Sequence, residues 1–319
     1  MSEQLDLKSH RKFYAWMRIA RIQFYPMTFI AYSLGAACAF TVFHRFDIAI
    51  FLAGYSALFL IELCAILANE YYDYDTDRIN KNFSAFTGGS RALVEGRLGF
   101  REIKTGIGAT LCLIIASGYL LIKIDRYAAP GLIIFLLLTG IFLGLGYTVR
   151  PLKFCYRGLG EIVVGITHSP YVILCGFIFQ AGTWRNPLPW LLSGPLFFAV
   201  LAAIILADIP DFPADKEVSK RTIAVIFGPR FTAIAAMCLI CIAAVCGILL
   251  LRFKIIKDSP ALLIMIIIPH AIILLSMLAG LIRSNNFNRR IDNIMAMALS
   301  YIAWFGLIPL ASLLLAKKI

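Results

Sequence analysis

Nine times along this chain, about twenty residues pass with almost no charge among them. The runs cover roughly 22–43, 48–68, 103–123, 129–147, 159–182, 189–207, 226–251, 260–282 and 292–315. A helix needs about 20 apolar residues to cross the roughly 30 Å hydrocarbon core of a bilayer. The runs are too long for strands, and no ten-residue alternation points to a barrel. They predict an all-α, polytopic membrane bundle of about nine transmembrane helices. Composition agrees: 61% of the 319 residues are hydrophobic and only 15% are charged. A soluble domain has about 25% charged residues to cover its surface, so a soluble fold is excluded. One transmembrane unit is expected over 1–319, preceded by a polar segment at 1–21.

The formal charge of +12 would raise nucleic acid as a partner in a soluble chain. In a bundle it reads instead as basic loops retained on the cytoplasmic side. With the N-terminus cytoplasmic, that side carries 21 of the 30 Lys and Arg residues, among them Lys8, Arg11, Lys12, Arg18 and Arg21. The other side holds Arg45, Lys123, Arg126, Arg185, Arg252, Lys254, Lys257, Lys317 and Lys318. The expected orientation is N-in, C-out, in a bacterial inner or plasma membrane. The first residues, MSEQLDLKSHRKFYAW, do not read as a cleaved signal peptide. Seven of the eight cysteines lie inside apolar runs, where Cys acts as a small buried hydrophobe. Cys238 and Cys241 form a lone CxxC without a second pair, too little for a metal or redox site.

Two cytoplasmic connections, 69–102 and 208–225, stand out by length, and acidic residues gather where each begins. The first reads Asn69-Glu70-Tyr-Tyr-Asp73-Tyr-Asp75-Thr-Asp77. On a helix, Asn69, Asp73 and Asp77 share one face. Such a stripe of oxygen donors suits a hard cation, and Mg²⁺ in particular is held by one or two carboxylates together with substrate phosphates. The second reads Asp208-Ile-Pro-Asp211-Phe-Pro-Ala-Asp215. Its spacing also makes one helical face, although Pro210 and Pro213 are expected to kink or end the helix. A pair of solvated helix ends accounts poorly for two such clusters on one side of the membrane.

Cations follow each cluster: Arg78, Lys81, Arg91 and Arg97 after the first, Lys216, Lys220 and Arg221 after the second, with Arg150, Lys153 and Arg157 between. Metal-binding carboxylates beside Arg and Lys are what a diphosphate requires. The Gly88-Gly89 turn reads equally as a phosphate-binding backbone or a plain turn. Neither a Walker-A sequence nor GxGxxG is present, so no nucleotide is indicated. Tyr147 reads as a contact for the diphosphate or a nearby cation, or as an interfacial tyrosine. Glu62 inside the second run is either functional or a neutral, hydrogen-bonded side chain. Glu161 could approach the same cavity. His168 and His270 read as packed side chains.

These motifs resemble those of the UbiA-type intramembrane prenyltransferases. The stretches that carry the resemblance are NEYYDYDTD (69–77), TGGSRALVEGRL (87–98), YTVRPLKFCYRGLGE (147–161) and DIPDFPADKEVSKRTIAV (208–225), in register with the spans. The resemblance implies a UbiA-like fold and an enzyme that binds a polyprenyl diphosphate through Mg²⁺ and transfers the prenyl group to an aromatic acceptor. It implies that Asn69, Asp73 and Asp77 of the first motif and Asp208, Asp211 and Asp215 of the second hold the metal. Asp73, Asp77, Asp208, Asp211 and Tyr147 are then the catalytic candidates, and Arg91, Lys153, Lys220 and Arg221 the diphosphate contacts. GGSR, YRGLGE and the Lys-Arg-Thr after the second motif resemble menaquinone-pathway members acting on 1,4-dihydroxy-2-naphthoate. Glu70 and Ser219 depart from the commoner Asp and Gly. The expected partners are these two substrates and membrane lipid, with no nucleic acid and no protein partner inferable. The rival class is an ion-coupled transporter, whose site would sit near the bilayer midplane on broken helices.

Overall fold

The computed structural model describes residues 12–253, 255 and 260–315. Residues 1–11 of the N-terminal segment, and the basic residues Lys8, Arg11, Lys254, Lys257, Lys317 and Lys318, lie outside the described residues. The helices are α1 (residues 12–20), α2 (Tyr25–Phe43), α3 (Ile48–Tyr72), the short α4 (Tyr74–Ile79), α5 (Phe100–Ile124) and α6 (Pro130–Gly146). They continue with α7 (Gly160–Ala181), α8 (Pro187–Glu217), the short α9 (Ile223–Phe227), α10 (Pro229–Arg252), α11 (Pro260–Ser284) and α12 (Asp292–Leu315). Eight segments are long and apolar enough to cross a membrane, and α6, at 17 residues, is the shorter ninth. The described residues are all-helical, with no strand.

The N-terminal segment is not simply a polar tail. Residues 12–20 form a helix that buries Ala15 and Ile19 against Leu67, Leu93, Leu98 and Ile103. Two apolar side chains four apart give it a buried stripe. Arg21 then turns with φ of 49°, in the left-handed region, and the chain enters α2.

In the interior, α2 packs on α7 and α12, while α8 packs on α7, α10 and α12. Helices α5, α10 and α11 present most of their surface outward. The arrangement has internal correspondence. The motif-bearing helix α3 is most closely apposed to α5, and the other motif-bearing helix, α8, to α10. A cavity of about 320 Å³ opens between α2, α3, α6, α7, α8 and α12. All eight cysteines are free; Cys38, Cys64, Cys155 and Cys175 are buried, whereas Cys112, Cys238 and Cys241 sit on outward faces of α5 and α10. For those three the expectation of burial inside the protein does not hold, because their helices border the bundle.

Two glycines let α2 and α7 touch backbone to backbone. A Cβ at Gly35 would collide with the Ile173 carbonyl, and one at Gly176 with the Tyr32 carbonyl. Small residues at a helix crossing allow this approach where lipid supplies no hydrophobic drive between helices.

The second acidic stretch differs from expectation. Rather than stopping near 207, α8 runs to Glu217 through Pro210 and Pro213. Each proline costs one backbone hydrogen bond. Tertiary anchoring offsets that loss: Ile209, Pro210, Ala214 and Asp215 are buried, and Asn82 donates to the Pro210 carbonyl at 3.2 Å. The expected loop 208–225 is therefore mostly helix, and Asp208, Asp211 and Asp215 do share one stripe.

Candidate active site

The first motif keeps its helical spacing across a break. Helix α3 ends at Tyr72, and Asp73 adopts φ −93°, ψ 9°. The Asp73 N–H still donates to the Asn69 carbonyl at 2.8 Å, and the Asp77 N–H to the Asp73 carbonyl at 2.9 Å. Asn69, Asp73 and Asp77 thus stay in one row as the chain bends into α4. Asp75, on the other side, is exposed and carries only a loose pair with Arg78 at 4.0 Å.

The two motifs meet at one end of the bundle. Lys220, just past α8, sets its Nζ 2.8 Å from Asp73 Oδ2 and 3.8 Å from Asp215 Oδ1. Asn80 donates to Asp211 Oδ1 at 2.7 Å, and the Gly88 N–H to Asp211 Oδ2 at 3.3 Å. Asp73 also accepts from Tyr156 at 3.3 Å and Thr148 at 3.4 Å. Asp208 lies beside Glu161, and Glu161 accepts from the Ile223 N–H at 2.6 Å. The carboxylates are therefore knitted together by residues from three connections of the chain, 80–99, 147–159 and 218–222, and by the Ile223 N–H that opens α9.

Burial gives this charge its chemistry. Asp73, Asp77 and Asp215 are buried, as are Glu70 and Glu161. Burial, then repulsion from Asp73 and Glu70, pushes the Asp77 carboxyl up to about 8, against the opposing pull of Arg21 and Lys220. Burial alone would strip charge from Lys220; Asp73 and Asp215 outweigh it and hold the ammonium well above the usual lysine value. Burial also pushes the Tyr156 hydroxyl up to about 12, with the Asp73 charge adding to the effect.

Other predicted residues are placed as follows. Arg91, itself in a left-handed turn, donates to the Asp77 and Asn80 carbonyls and stacks on Phe83 at 4.2 Å. Its guanidinium braces the backbone at the end of the first motif. Lys153 sits 3.7 Å from the Tyr156 ring centroid. Arg221 is exposed, with no ion pair to the carboxylates among the described residues. Tyr147 lines the cavity directly below the site, within electrostatic reach of Lys220, Asp208 and Asp73.

Several contributors had no clear sequence signal. Arg21 lines the cavity mouth and acts electrostatically on both Asp77 and Asp211. Asn80 is a common residue type outside either acidic motif, and Thr148 and Tyr156 lie in the 147–161 stretch, where nothing in their residue type singles them out. Glu70 anchors the glycine turn, accepting from the Ser90 N–H at 3.0 Å and from the Ser90 hydroxyl. Only its position inside an acidic cluster marked it. The turn approaches so closely that a Cβ at Gly89 would overlap the Asp77 carboxylate, at a φ of 73°.

Among the described residues, no three His, Cys, Asp or Glu side chains converge tightly enough to enclose a metal ion unaided. Mg²⁺ does not need such a cage, since it keeps waters and takes phosphate oxygens. The donor chemistry suits it. Asn69 Oδ1, Asp208 Oδ2, Asp215 Oδ1 and Glu161 Oε2 are buried oxygens with no hydrogen-bond partner. Unsatisfied buried acceptors are costly, and oxygen donors of this kind are what a hard cation takes. Below them, the cavity runs from Arg21, Asn69 and Tyr147 down to Gly140, Tyr171 and Ile302 between largely apolar walls.

A family model described as the UbiA prenyltransferase family matches residues 28–299. The chain is 27% identical over 227 residues to the 1,4-dihydroxy-2-naphthoate octaprenyltransferase of Escherichia coli, covering 67% of this chain and 68% of that one. It is 28% identical over 229 residues to the digeranylgeranylglyceryl phosphate synthase of Methanobrevibacter smithii, covering 70% and 73%. Among solved structures, a UbiA homolog from Archaeoglobus fulgidus bound to GPP and Mg²⁺ superposes with a TM-score of 0.64, at 17% identity, over 94% of this chain and 99% of that one.

Proposed function

The chain belongs to the UbiA prenyltransferase family, and from that membership we propose that it transfers a prenyl group from a polyprenyl diphosphate to an aromatic acceptor in a Mg²⁺-dependent reaction. The acceptor we assign is 1,4-dihydroxy-2-naphthoate, as the name of the Escherichia coli relative suggests. The observation that carries the reading is the bridge of Lys220 to Asp73 and Asp215, with Asn80 joining Asp211, at the mouth of an apolar cavity. Two carboxylate rows and one buried cation at a single end of the bundle suit a diphosphate head, and the hydrocarbon walls suit its tail. That placement at one end, rather than at mid-depth, also weighs against a transporter.

Asn69, Asp73, Asp77, Asp208, Asp211 and Asp215 would hold the metal. When bound, Mg²⁺ neutralises the diphosphate and makes it a better leaving group. The residues of the chain do the rest. Lys220 is held charged where negative charge accumulates on the departing diphosphate. Tyr147 lines the cavity beneath the carboxylates, where its π face would stabilise positive charge developing on the allylic carbon. Leu143, Val164, Val200 and Ile204 line the cavity and exclude the water that would quench a carbocation. We place the site on the cytoplasmic face, the side to which the basic loops are assigned.

The test is an acceptor panel with Mg²⁺ and polyprenyl diphosphate, read by mass spectrometry. A prenylated naphthoate product is expected. Products formed only with glycerol phosphate lipids would move the chain to the acceptor class of its Methanobrevibacter smithii relative.

The glycine turn gives a second expected result. Gly89→Ala should displace the Asp77 carboxylate and weaken Mg²⁺-dependent prenyl diphosphate binding by about 10-fold or more, measured by calorimetry. Gly96→Ala is the control. Its φ is also left-handed, at 64°, but a Cβ there meets nothing within 4 Å. Equal losses in both variants would reduce the effect to backbone strain.

A further inference from the structure

Halfway down the cavity wall is an ionisable pair that the diphosphate chemistry does not use. Glu62 lies seven residues before Asn69 on the same face of α3, about 10 Å of helical rise from the metal-binding row. Its Oε1 is 3.8 Å from His168 Nε2, beyond a direct hydrogen bond, and its Oε2 is buried with no partner. On the neighbouring α2, the hydroxyls of Tyr25 and Thr28 are also buried without partners, and Tyr25 is within electrostatic reach of Glu62. Glu62, His168 and Thr28 all line the cavity. A charged group at such depth is expensive to keep there without a role.

The opposite side of the pair is built with care. Residues Thr167–Tyr171 form a π-type turn within α7, containing Pro170. Turns of this kind concentrate at functional positions. The Thr167 hydroxyl donates to the Val163 carbonyl at 2.9 Å, and His168 Nδ1 lies 3.1 Å from the Val164 carbonyl. A carbonyl only accepts, so Nδ1 carries the proton. Nε2 faces the Glu62 carboxylate, so both ring nitrogens point at acceptor oxygens, as suits a doubly protonated imidazole, and a donor and an acceptor stand apart across a gap. A hydroxyl, which donates and accepts at once, fits that gap.

A prenyl tail offers neither donor nor acceptor, so this polarity is wasted on it. We propose that Glu62 and His168 form the subsite for the hydroxyl group of the aromatic acceptor, with the hydroxyl donating to Glu62 and turning its lone pairs toward His168. The proposal rests on the aromatic-acceptor reading above. A phenolic hydroxyl held by a carboxylate is more electron-rich, which raises the nucleophilicity of the ring carbons ortho and para to it. The same contact fixes which ring edge faces the mouth of the cavity, and so which carbon is prenylated. The subsite thereby selects hydroxylated rings.

The experiment compares 1,4-dihydroxy-2-naphthoate with its two monomethyl ethers in the wild-type protein and in Glu62→Gln, with His168→Gln as the second variant. Wild type should prefer the free hydroxyl at one ring position by about 10–100-fold in kcat/KM. In Glu62→Gln that preference should shrink to within a few-fold, with the KM for prenyl diphosphate unchanged. His168→Gln should shrink it at the same ring position. An equal drop for hydroxyl and both ethers in the variants overturns the subsite and leaves the aromatic-acceptor reading standing. So does a wild type indifferent to methylation, or a change confined to the prenyl diphosphate KM. A wild type that prenylates no aromatic compound overturns the reading and the subsite together.

Discussion

Asp73→Asn and Asp208→Asn are each expected to lower prenyl transfer by roughly 10²–10³-fold, but with opposite consequences for stability. Asp73 is already satisfied by protein donors: Lys220 at 2.8 Å, Tyr156 at 3.3 Å and Thr148 at 3.4 Å. Removing its charge leaves Lys220 buried with only Asp215, at 3.8 Å, to balance it. Breaking a buried pair of this kind costs about 3–5 kcal/mol, so Asp73→Asn should also melt earlier. Asp208 is the contrary case. It faces Glu161, and its Oδ2 has no partner. An amide there removes like-charge repulsion and can donate to Glu161. Asp208→Asn should therefore be as stable as wild type or more so, while losing activity, the trade expected where a site is strained for function. Transfer assays by mass spectrometry, with thermal melts in the same detergent, read both quantities. Turnover within a few-fold of wild type in both variants would sink the metal assignment.

The other large effect concerns the fold. Gly35→Val and Gly176→Val should each prevent recovery of monodisperse protein after extraction. At each position a Cβ overlaps a backbone carbonyl of the facing helix, Ile173 for Gly35 and Tyr32 for Gly176. Backbone cannot rotate away as a flexible side chain can. Overpacking a close contact costs about 1–3 kcal/mol even when neighbours yield, and here α2 and α7 must separate. Because α2 carries Thr28 and α7 carries His168, separation also widens the cavity wall. Gly194→Ala, with nothing within 4 Å of its Cβ, should leave the melting temperature close to that of wild type. Normal yields from both valine variants would show that the crossing tolerates a wider spacing.

The spans and the rows of acidic residues were legible because each is a local, periodic signal. Asn69, Asp73 and Asp77 are spaced at four residues, and the chain keeps those backbone hydrogen bonds even across the bend at Asp73. The continuation of α8 through Pro210 and Pro213 was not legible, because what sustains it is tertiary. Asn80 and Asn82 hold that turn from more than a hundred residues away. The same holds for Glu62 and His168, which read as isolated residues until α3 and α7 place them together. Arg91 belongs to the basic residues that sequence groups near the diphosphate, yet its guanidinium is occupied with the Asp77 and Asn80 carbonyls and Phe83. A charge type announces a possible partner; only the fold reveals whether backbone has already claimed it.

The bridge from Lys220 to Asp73 joins residues 147 positions apart, one row supplied by the helix that leans on α5 and the other by the helix that leans on α10. Neither half of the chain holds the site alone, so binding there is linked to assembly of the halves. A molecule that engages both rows draws the equilibrium toward the assembled bundle by mass action, by about 2.7 kcal/mol at a hundredfold excess over its Kd. An inhibitor of this protein would then act as a folding aid during membrane insertion, raising the amount of the very protein it blocks.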